Sequence, residues 1–284
     1  MWDFAAELRH HGSDTTNVPS LAESQAYCQH VTTTHYENFT VVSLLLPRKL
    51  RPQFQAIYAW CRWADDLADE TAGGEESLRL LAWWRDELAA CYADTPRHIV
   101  TVALAVTVKQ FAIPQQLFLD LINAFEQDQR VKEYDTFEQL LDYCRRSANP
   151  VGRLVLHLFE CCDDERGKLS DEVCTGLQLA NFWQDVQRDA AMGRVYLPQE
   201  DRDRFTNHRD LIRFEVDRTR GYFERGRALL PLLPRCARID VTLFISGGEA
   251  ILDAIAKQDY DVLTQRPTIT KWKKMRLLLK AVIS

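Results

Sequence analysis

Two short stretches carry residues whose types and spacing suit metal and phosphate chemistry. In AIYAWCRWADDLADE, residues 56–70, a helical period places Tyr58, Arg62, Asp65 and Asp69 on one stripe. In QLANFWQDVQRDAAMGRVYLP, residues 178–198, Gln178, Asn181, Asp185 and Asp189 recur in the same way. Carboxylates one turn apart, ~6 Å along a helix axis, oppose each other unless a cation sits with them. Hard oxygen donors with no nearby imidazole or thiolate suit Mg²⁺. Arg and Tyr donate to anionic oxygens, and the Arg fork does so in pairs. The joint expectation is a helical pocket that binds a diphosphate through several Mg²⁺ ions. Asp65, Asp66, Asp69, Asn181, Asp185 and Asp189 are the metal-facing candidates, and Tyr58 and Arg62 the donors to diphosphate. Asp66 stands beside its stripe, as a helper ligand or as a local charge partner. Arg188 stands beside Asp189, as a diphosphate contact or as its neutralising charge.

The elements that would carry these stripes read as buried helices. Both segments are apolar nearly all round except for the polar line, whereas a surface helix is polar over a wide face. The 3.6-residue period extends over most of the chain. A capping box, Ser20-Leu21-Ala22-Glu23, starts a helix. Another follows from Phe54 and ends at Gly73-Gly74. Further helices are expected near 76–92, 97–112, 115–128, 136–160, 170–191, 208–230, 240–258 and 268–282, with breaks at Pro114, Gly167, Pro198 and Pro267. The run Cys161–Glu165 reads as a solvated turn. The expectation is one all-α domain over residues 1–284, with 1–19 loosely attached and a core of about 20–282.

Composition narrows the class. With 284 residues the chain can bury a sizeable core without disulfides, and 46% hydrophobic with 27% charged residues is ordinary for a globular protein. Only 11 Gly and 10 Pro over this length disfavour a turn-rich sandwich. A net charge of −6 gives no basic footprint for nucleic acid. The eight cysteines form no C-x-x-C pair and read as small core residues of a reducing cytosol. No run approaches a membrane span and the start lacks a secretory pattern, so a cytoplasmic protein is expected. Between Arg266 and Lys280 lie six basic residues and no acid, interleaved with Trp272, Met275 and Leu277 to Leu279. This end reads as a lid on diphosphate, a peripheral contact with the inner face of a membrane, or a solvated basic helix face. The oligomeric state is open.

At these residues the chain resembles the squalene and phytoene synthase family, the head-to-head prenyl synthases of the class I terpenoid fold. The resemblance runs from about 35 to 275. Tyr58-Ala-x-Cys-Arg62-x-x-Asp65-Asp66-x-x-Asp69 is similar to the family's first aspartate motif, and Asn181-x-x-x-Asp185-x-x-x-Asp189 to its second. Tyr143-Cys144, Ala148 and Val151-Gly152 resemble the central segment lining the prenyl pocket. Gly193-Arg194-Val195-Tyr196-Leu197-Pro198 resembles the tail after the second motif, and Tyr260 and Arg266 look like late diphosphate-binding residues. Within the family the likeness is greatest to the hydroxysqualene synthases of the hopanoid pathway, through His35-Tyr-Glu-Asn-Phe39 and Ala180-Asn-Phe-Trp-Gln-Asp185. Gln184 departs from the Arg usual there in phytoene and dehydrosqualene synthases, and Tyr36-Glu37-Asn38 depart from their small polar residues and Lys.

The resemblance implies a helical bundle around a central cavity and Mg²⁺-dependent conversion of presqualene diphosphate and water to hydroxysqualene and diphosphate. Asp65, Asp69, Asp185 and Asp189 are then catalytic, and Tyr143 is a neighbour for the water-capture step or a satisfied core hydroxyl. NADPH is not expected. A G-x-G-x-x-G turn is absent, although a helical enzyme could bind the nucleotide without one. The alternatives within the family are squalene, presqualene diphosphate, and phytoene or dehydrosqualene synthesis. Outside it stands a non-catalytic helical binding protein whose stripes are surface features.

Overall fold

The computed structural model describes residues 2–13, 15, 17–34 and 47–270. The described residues are helical, as the periodicity predicts, with one isolated parallel bridge between Glu133 and Val195. They group into two compact units, residues 1–130 and 131–284.

The first unit comprises α1 (Phe4–His11), α2 (Leu21–Thr34), α3 (Arg51–Asp69), α4 (Gly74–Tyr92), α5 (Ile99–Gln110) and α6 (Gln115–Asp128). The capping box opens α2 as expected: Ser20 N–H donates to Glu23 Oε2 (2.9 Å) and Glu23 N–H to Ser20 Oγ (3.3 Å). Pro52 fits the first turn of α3, where its missing N–H costs nothing. Gln129 clips the turn that follows, donating to the Ala68 carbonyl (3.1 Å) and accepting from Gly74 N–H (3.2 Å).

Helix α3 lies in the middle of this unit and packs on α2, α4, α5 and α6. It buries Phe54, Ile57, Trp60, Trp63 and Leu67, each large side chain contributing roughly 1.5–3 kcal/mol. Trp60 and Trp63 stack on Trp84 of α4 at 5.9 and 5.6 Å. His98 meets the Trp63 and Trp84 rings edge-on (4.5 and 4.8 Å) while its Nδ1 caps α5 by accepting from Val100 N–H. Burial pushes this imidazole down to about 3, so it caps as the neutral ring.

The expectation that residues 1–19 are loosely attached is corrected for their helical part. Phe4 is buried with its ring edge-on to Trp63 (5.2 Å), and Asp3 caps α1 by accepting from Ala6 N–H. Tyr27 donates to Glu7 (2.7 Å) and accepts from Trp63 Nε1 (3.1 Å). The mixed polarity of a two-turn helix hides a few strong anchors.

The second unit comprises α7 (Phe137–Ser147), α8 (Asn149–Leu158), α9 (Asp164–Ala191), α10 (Gln199–Arg204), α11 (His208–Gly226) and α12 (Arg235–Lys257), with a 3₁₀ turn over Arg227–Leu232. The helix expected over 136–160 is two, because Pro150 has no N–H for the preceding turn and instead opens α8. The helix expected from 170 begins at Asp164, with Asp163 accepting from Arg166 N–H (2.8 Å). Gly167 is not a break. It sits inside α9, where an added Cβ would meet the Arg153 guanidinium at 3.3 Å. Residues 268–270 are not helical, and the rest of the helix expected over 268–282 lies outside the described residues.

Helix α9 packs on α8, α11 and α12. Its Trp183 is fully buried and donates to Thr219 Oγ1 of α11 (2.8 Å). Gly176 of α9 and Gly248 of α12 both face the Phe223 ring, so three helices close on one aromatic side chain.

Candidate active site

Helix α3 presents the first acidic stripe at its C-terminal half. Arg62 is half-buried and lies between two carboxylates: its Nη1 is 3.1 Å from Asp65 Oδ2, and its Nη2 donates to Asp66 Oδ1. Asp65 and Asp66 are three and four residues beyond Arg62, so one guanidinium reaches both. Tyr58, one turn before Arg62, is half-buried, and its hydroxyl is pushed up from the ordinary value. Burial is the main cause, opposed by Arg62 and reinforced by Asp65 and Asp66. Asp69 is exposed at the end of the helix.

Asp65 and Asp66 have different surroundings. Asp65 opens to solvent on one side, with 41% of its side chain exposed. Burial of the rest pushes its carboxyl up to about 6. Arg62 opposes this, and Asp69, Asp66 and Asp128 add to it. Asp66 has no exposed surface, and its second oxygen accepts from Trp2 Nε1 at 2.9 Å. Asp66 thus accepts from both Arg62 and Trp2. Asp128, at the end of α6, is a buried carboxylate that the spacing argument missed, since nothing in its own helix marks it.

Helix α9 presents the second stripe. Gln178 is half-buried, Asn181 is exposed, Asp185 is buried and Asp189 is half-buried. Arg266 reaches Asp185 with two donors: Nη2 lies 3.0 Å from Oδ2, and Nε donates to Oδ1. The next residues pair as well, Gln184 Nε2 donating to the Pro267 carbonyl at 2.6 Å. Burial pushes Asp189 up to about 6, with Asp185 adding to the effect and Arg188, Arg194 and Arg266 opposing it. Arg188 is exposed. Tyr260 has its ring under the Arg213 guanidinium (4.8 Å) and its backbone at φ +58°, a conformation costly for a bulky residue.

The tail after the second motif folds back as a strap. Gly193 turns at φ +72°, Val195 N–H donates to the Lys132 carbonyl (2.7 Å), and Gln199 N–H to the Tyr134 carbonyl (2.9 Å). The strap lays Tyr196 flat on Phe182 at 3.9 Å. Tyr143 of α7 is buried beside them, its ring 5.9 Å from Tyr196, 6.2 Å from Phe182 and 5.7 Å from Tyr134. These rings form an aromatic wall that starts at Phe182, one turn before Asp185. A cleft of about 40 Å³ opens between Phe182, Val186, Asp189, Arg194 and Tyr196. Arg194 was marked in the sequence only by the resemblance of the tail.

Among the described residues, no three carboxylates, imidazoles or thiols converge to hold a metal by themselves. The donor set suits Mg²⁺ all the same, since that ion is usually held by one or two carboxylates together with substrate phosphates. The segments His35–Phe39 and Lys271, Lys273, Lys274, Arg276 and Lys280 lie outside the described residues. No helix among the described residues is long and apolar enough to cross a membrane.

A sequence profile of squalene/phytoene synthases matches residues 32–273, a range that holds both acidic stripes. The chain belongs to the squalene/phytoene synthase family. It is 30% identical over 291 residues to 15-cis-phytoene synthase of Synechococcus elongatus, with 94% of each chain covered. Among solved structures it is similar to squalene synthase HpnC of Alicyclobacillus acidocaldarius, with a TM-score of 0.81 and 44% identity over 84% of this chain and 95% of that one. A dehydrosqualene synthase solved with a ligand also gives a TM-score of 0.81, at 23% identity over 92% of this chain and 96% of that one. The all-α architecture is thus the terpenoid synthase fold expected from the motifs. Membership makes this chain a prenyltransferase-like enzyme of isoprenoid biosynthesis. The squalene/phytoene synthases act on prenyl diphosphates, generally with a divalent metal.

Proposed function

We propose that the chain converts presqualene diphosphate and water to hydroxysqualene and diphosphate, with Mg²⁺ and without NADPH. The observation that carries this reading within the family is Gln184. The position before Asp185 holds a neutral amide that donates to the Pro267 carbonyl, where the resemblance implies an Arg as the usual residue of phytoene and dehydrosqualene synthases. One cation fewer at the second motif fits an enzyme that takes one diphosphate substrate and not two. The 44% identity to squalene synthase HpnC supports a triterpene substrate. The 30% identity to a phytoene synthase keeps phytoene synthesis as the second reading.

The chemistry follows from the residues. Asp65, Asp69, Asn181, Asp185 and Asp189 are the metal-facing groups in this reading. Mg²⁺, when bound, neutralises charge on the leaving diphosphate. Arg62 and Tyr58 donate to diphosphate oxygens, and Arg62 is the stronger donor because its charge is permanent. The substrate C–O bond breaks and the diphosphate departs with the bonding pair, where these donors hold its negative charge. The cyclopropylcarbinyl cation left behind rearranges beside aromatic faces, for which Phe182, Tyr196 and Tyr143 are the candidates. One water oxygen then forms the new C–O bond and releases its proton. Tyr143 is the nominated neighbour of that water. Arg266 and Tyr260 are the late diphosphate contacts in this reading.

Purified protein is incubated with presqualene diphosphate and Mg²⁺ in the absence of NADPH, and the product is identified by mass spectrometry. Hydroxysqualene is the expected product. Squalene formed only with NADPH, presqualene diphosphate accumulating from farnesyl diphosphate, or phytoene from geranylgeranyl diphosphate would overturn the assignment.

A further inference from the structure

Trp2 reaches the first acidic stripe through a residue that has no exposed surface. Its indole Nε1 donates to Asp66 Oδ2 at 2.9 Å, and Asp66 Oδ1 accepts from Arg62. An ionised carboxylate can only accept, and in a dry site each oxygen depends on protein donors. Asp66 is therefore shared between an indole of the N-terminal segment and the guanidinium that also faces Asp65 at 3.1 Å. Weakening one donor to a buried carboxylate leaves it more dependent on the other. Loss of the Trp2 N–H is therefore expected to let Asp66 draw Arg62 inward, away from Asp65 and from any anion on the open side of the stripe.

We propose that Trp2 is a positioning residue of the active site: its indole N–H fixes buried Asp66, and Asp66 sets the Arg62 guanidinium against Asp65. The inference rests on the reading above, in which Arg62 and Asp65 serve a metal–diphosphate group. The anchoring of α1 supplies an internal control, because it is built from separable contacts. The Phe4 ring against Trp63 and the Glu7–Tyr27–Trp63 hydrogen bonds, which pass through α2, hold α1 on α3 by side chains other than Trp2 and Asp66. General loosening of the N-terminal segment can thus be told apart from loss of the Trp2 bond.

The test is calorimetric titration of inorganic pyrophosphate, at saturating Mg²⁺, into the full chain and three variants. Trp2→Phe keeps a ring but removes the N–H, Tyr27→Phe cuts the second anchor, and Asp65→Asn disables the stripe itself. Trp2→Phe is expected to weaken pyrophosphate binding roughly fivefold, the value of about one net hydrogen bond. Tyr27→Phe is expected to match the wild type. Trp2→Phe titrating like the wild type, or Tyr27→Phe losing as much affinity as Trp2→Phe, overturns the proposal while leaving the site reading intact. A wild type that takes up no pyrophosphate, or an Asp65→Asn variant that binds it unchanged, overturns the site reading and this inference with it.

Discussion

Arg266 and Asp185 stand 81 positions apart and meet in a two-point ion pair, with Nη2 3.0 Å from Oδ2 and Nε donating to Oδ1. Only 10% of the Asp185 side chain is exposed, against 49% of Arg266. The buried carboxylate is thus neutralised by a cation at the surface, on the oxygens that a metal would need. Gln184 and Pro267 fix the register of this contact one residue along on each side.

Replacing that arginine should move two constants in opposite directions. Arg266→Gln frees Asp185 for metal, so half-saturation by Mg²⁺ is expected at roughly three- to fivefold lower concentration, in line with about 1 kcal/mol for a partly exposed pair. On the proposed reading the same change also removes a donor to diphosphate, so KM for the prenyl diphosphate is expected to rise. Steady-state kinetics over a matrix of Mg²⁺ and substrate concentrations separates the two. A parallel rise of both constants would show that Arg266 and metal do not compete for Asp185.

The acidic stripes also carry a pH signature. Asp65 and Asp189 are each pushed up to about 6, chiefly by burial. On the proposed reading they hold metal as carboxylates, so Mg²⁺ affinity is expected to be flat above about pH 7 and to fall by about tenfold or more per pH unit below 6. Stability runs the other way. A folded-state value above the ordinary 3.8 means that the folded, metal-free chain binds more protons than the unfolded chain between about 4 and 6. These groups therefore stabilise the fold most fully below that window, and the contribution is lost as pH rises through 6. Metal titrations and thermal melts at pH 5, 6 and 7 check the opposed slopes, and variants Asp65→Asn and Asp189→Asn should each flatten them.

The stripes were legible because a 3.6-residue period needs only local spacing. Tyr58, Arg62, Asp65 and Asp69, and Asn181, Asp185 and Asp189, fall on single helices, α3 and α9, as read from the sequence. What spacing cannot show is which way a helix turns in its unit. Asp66 is adjacent to Asp65, yet it is buried and faces Trp2. Asp128 and Arg266 come to their stripes from other elements, and no local pattern announces a partner that far along the chain. The N-terminal helix leaves little trace in the sequence because its hold on the unit lies in a handful of contacts at Trp2, Phe4 and Glu7, with no sustained apolar face. The break at Pro150 is hidden in the sequence because the apolar period continues on both sides of it.

A second buried carboxyl in the C-terminal unit makes a prediction independent of the acidic stripes. Glu215 of α11 has no exposed surface and is pushed up to about 8, first by burial, with Arg218 opposing and Asp201 and Glu200 adding to it. Arg218 meanwhile grips Asp201 of α10 with Nη1 at 2.9 Å and Nη2 at 3.2 Å. The folded chain holds the Glu215 proton from about 4.5 to 8 and the unfolded chain does not, so its contribution to stability is full below 4.5 and declines up to pH 8. Glu215→Gln keeps a neutral side chain of the same shape. It is expected to gain on the order of 1–2 kcal/mol relative to wild type at pH 8 and little at pH 5. Thermal melts across that range would show a shallower decline for the variant, and an equal slope in both proteins would refute a proton held on Glu215 in the folded chain.

The close approach of α9, α11 and α12 is tested by two neighbouring glycines. A Cβ on Gly248 would lie 2.3 Å from Phe223 Cζ and 3.0 Å from Leu177 Cδ2, and Phe223 is itself wedged against Gly176 of α9. The ring is fully buried and has no room to swing aside. Gly248→Ala should therefore destabilise the protein by about 1–3 kcal/mol through overpacking. Gly247, one residue earlier on the same helix, has nothing within 4 Å of an added Cβ. Gly247→Ala should be neutral or stabilising by up to about 1 kcal/mol, because Ala is the better helix former. Chemical denaturation of both variants gives the comparison directly. If Gly248→Ala proved as stable as Gly247→Ala, the three helices would not be held at the separation that places Asp185 and Asp189 of α9 beside Arg266.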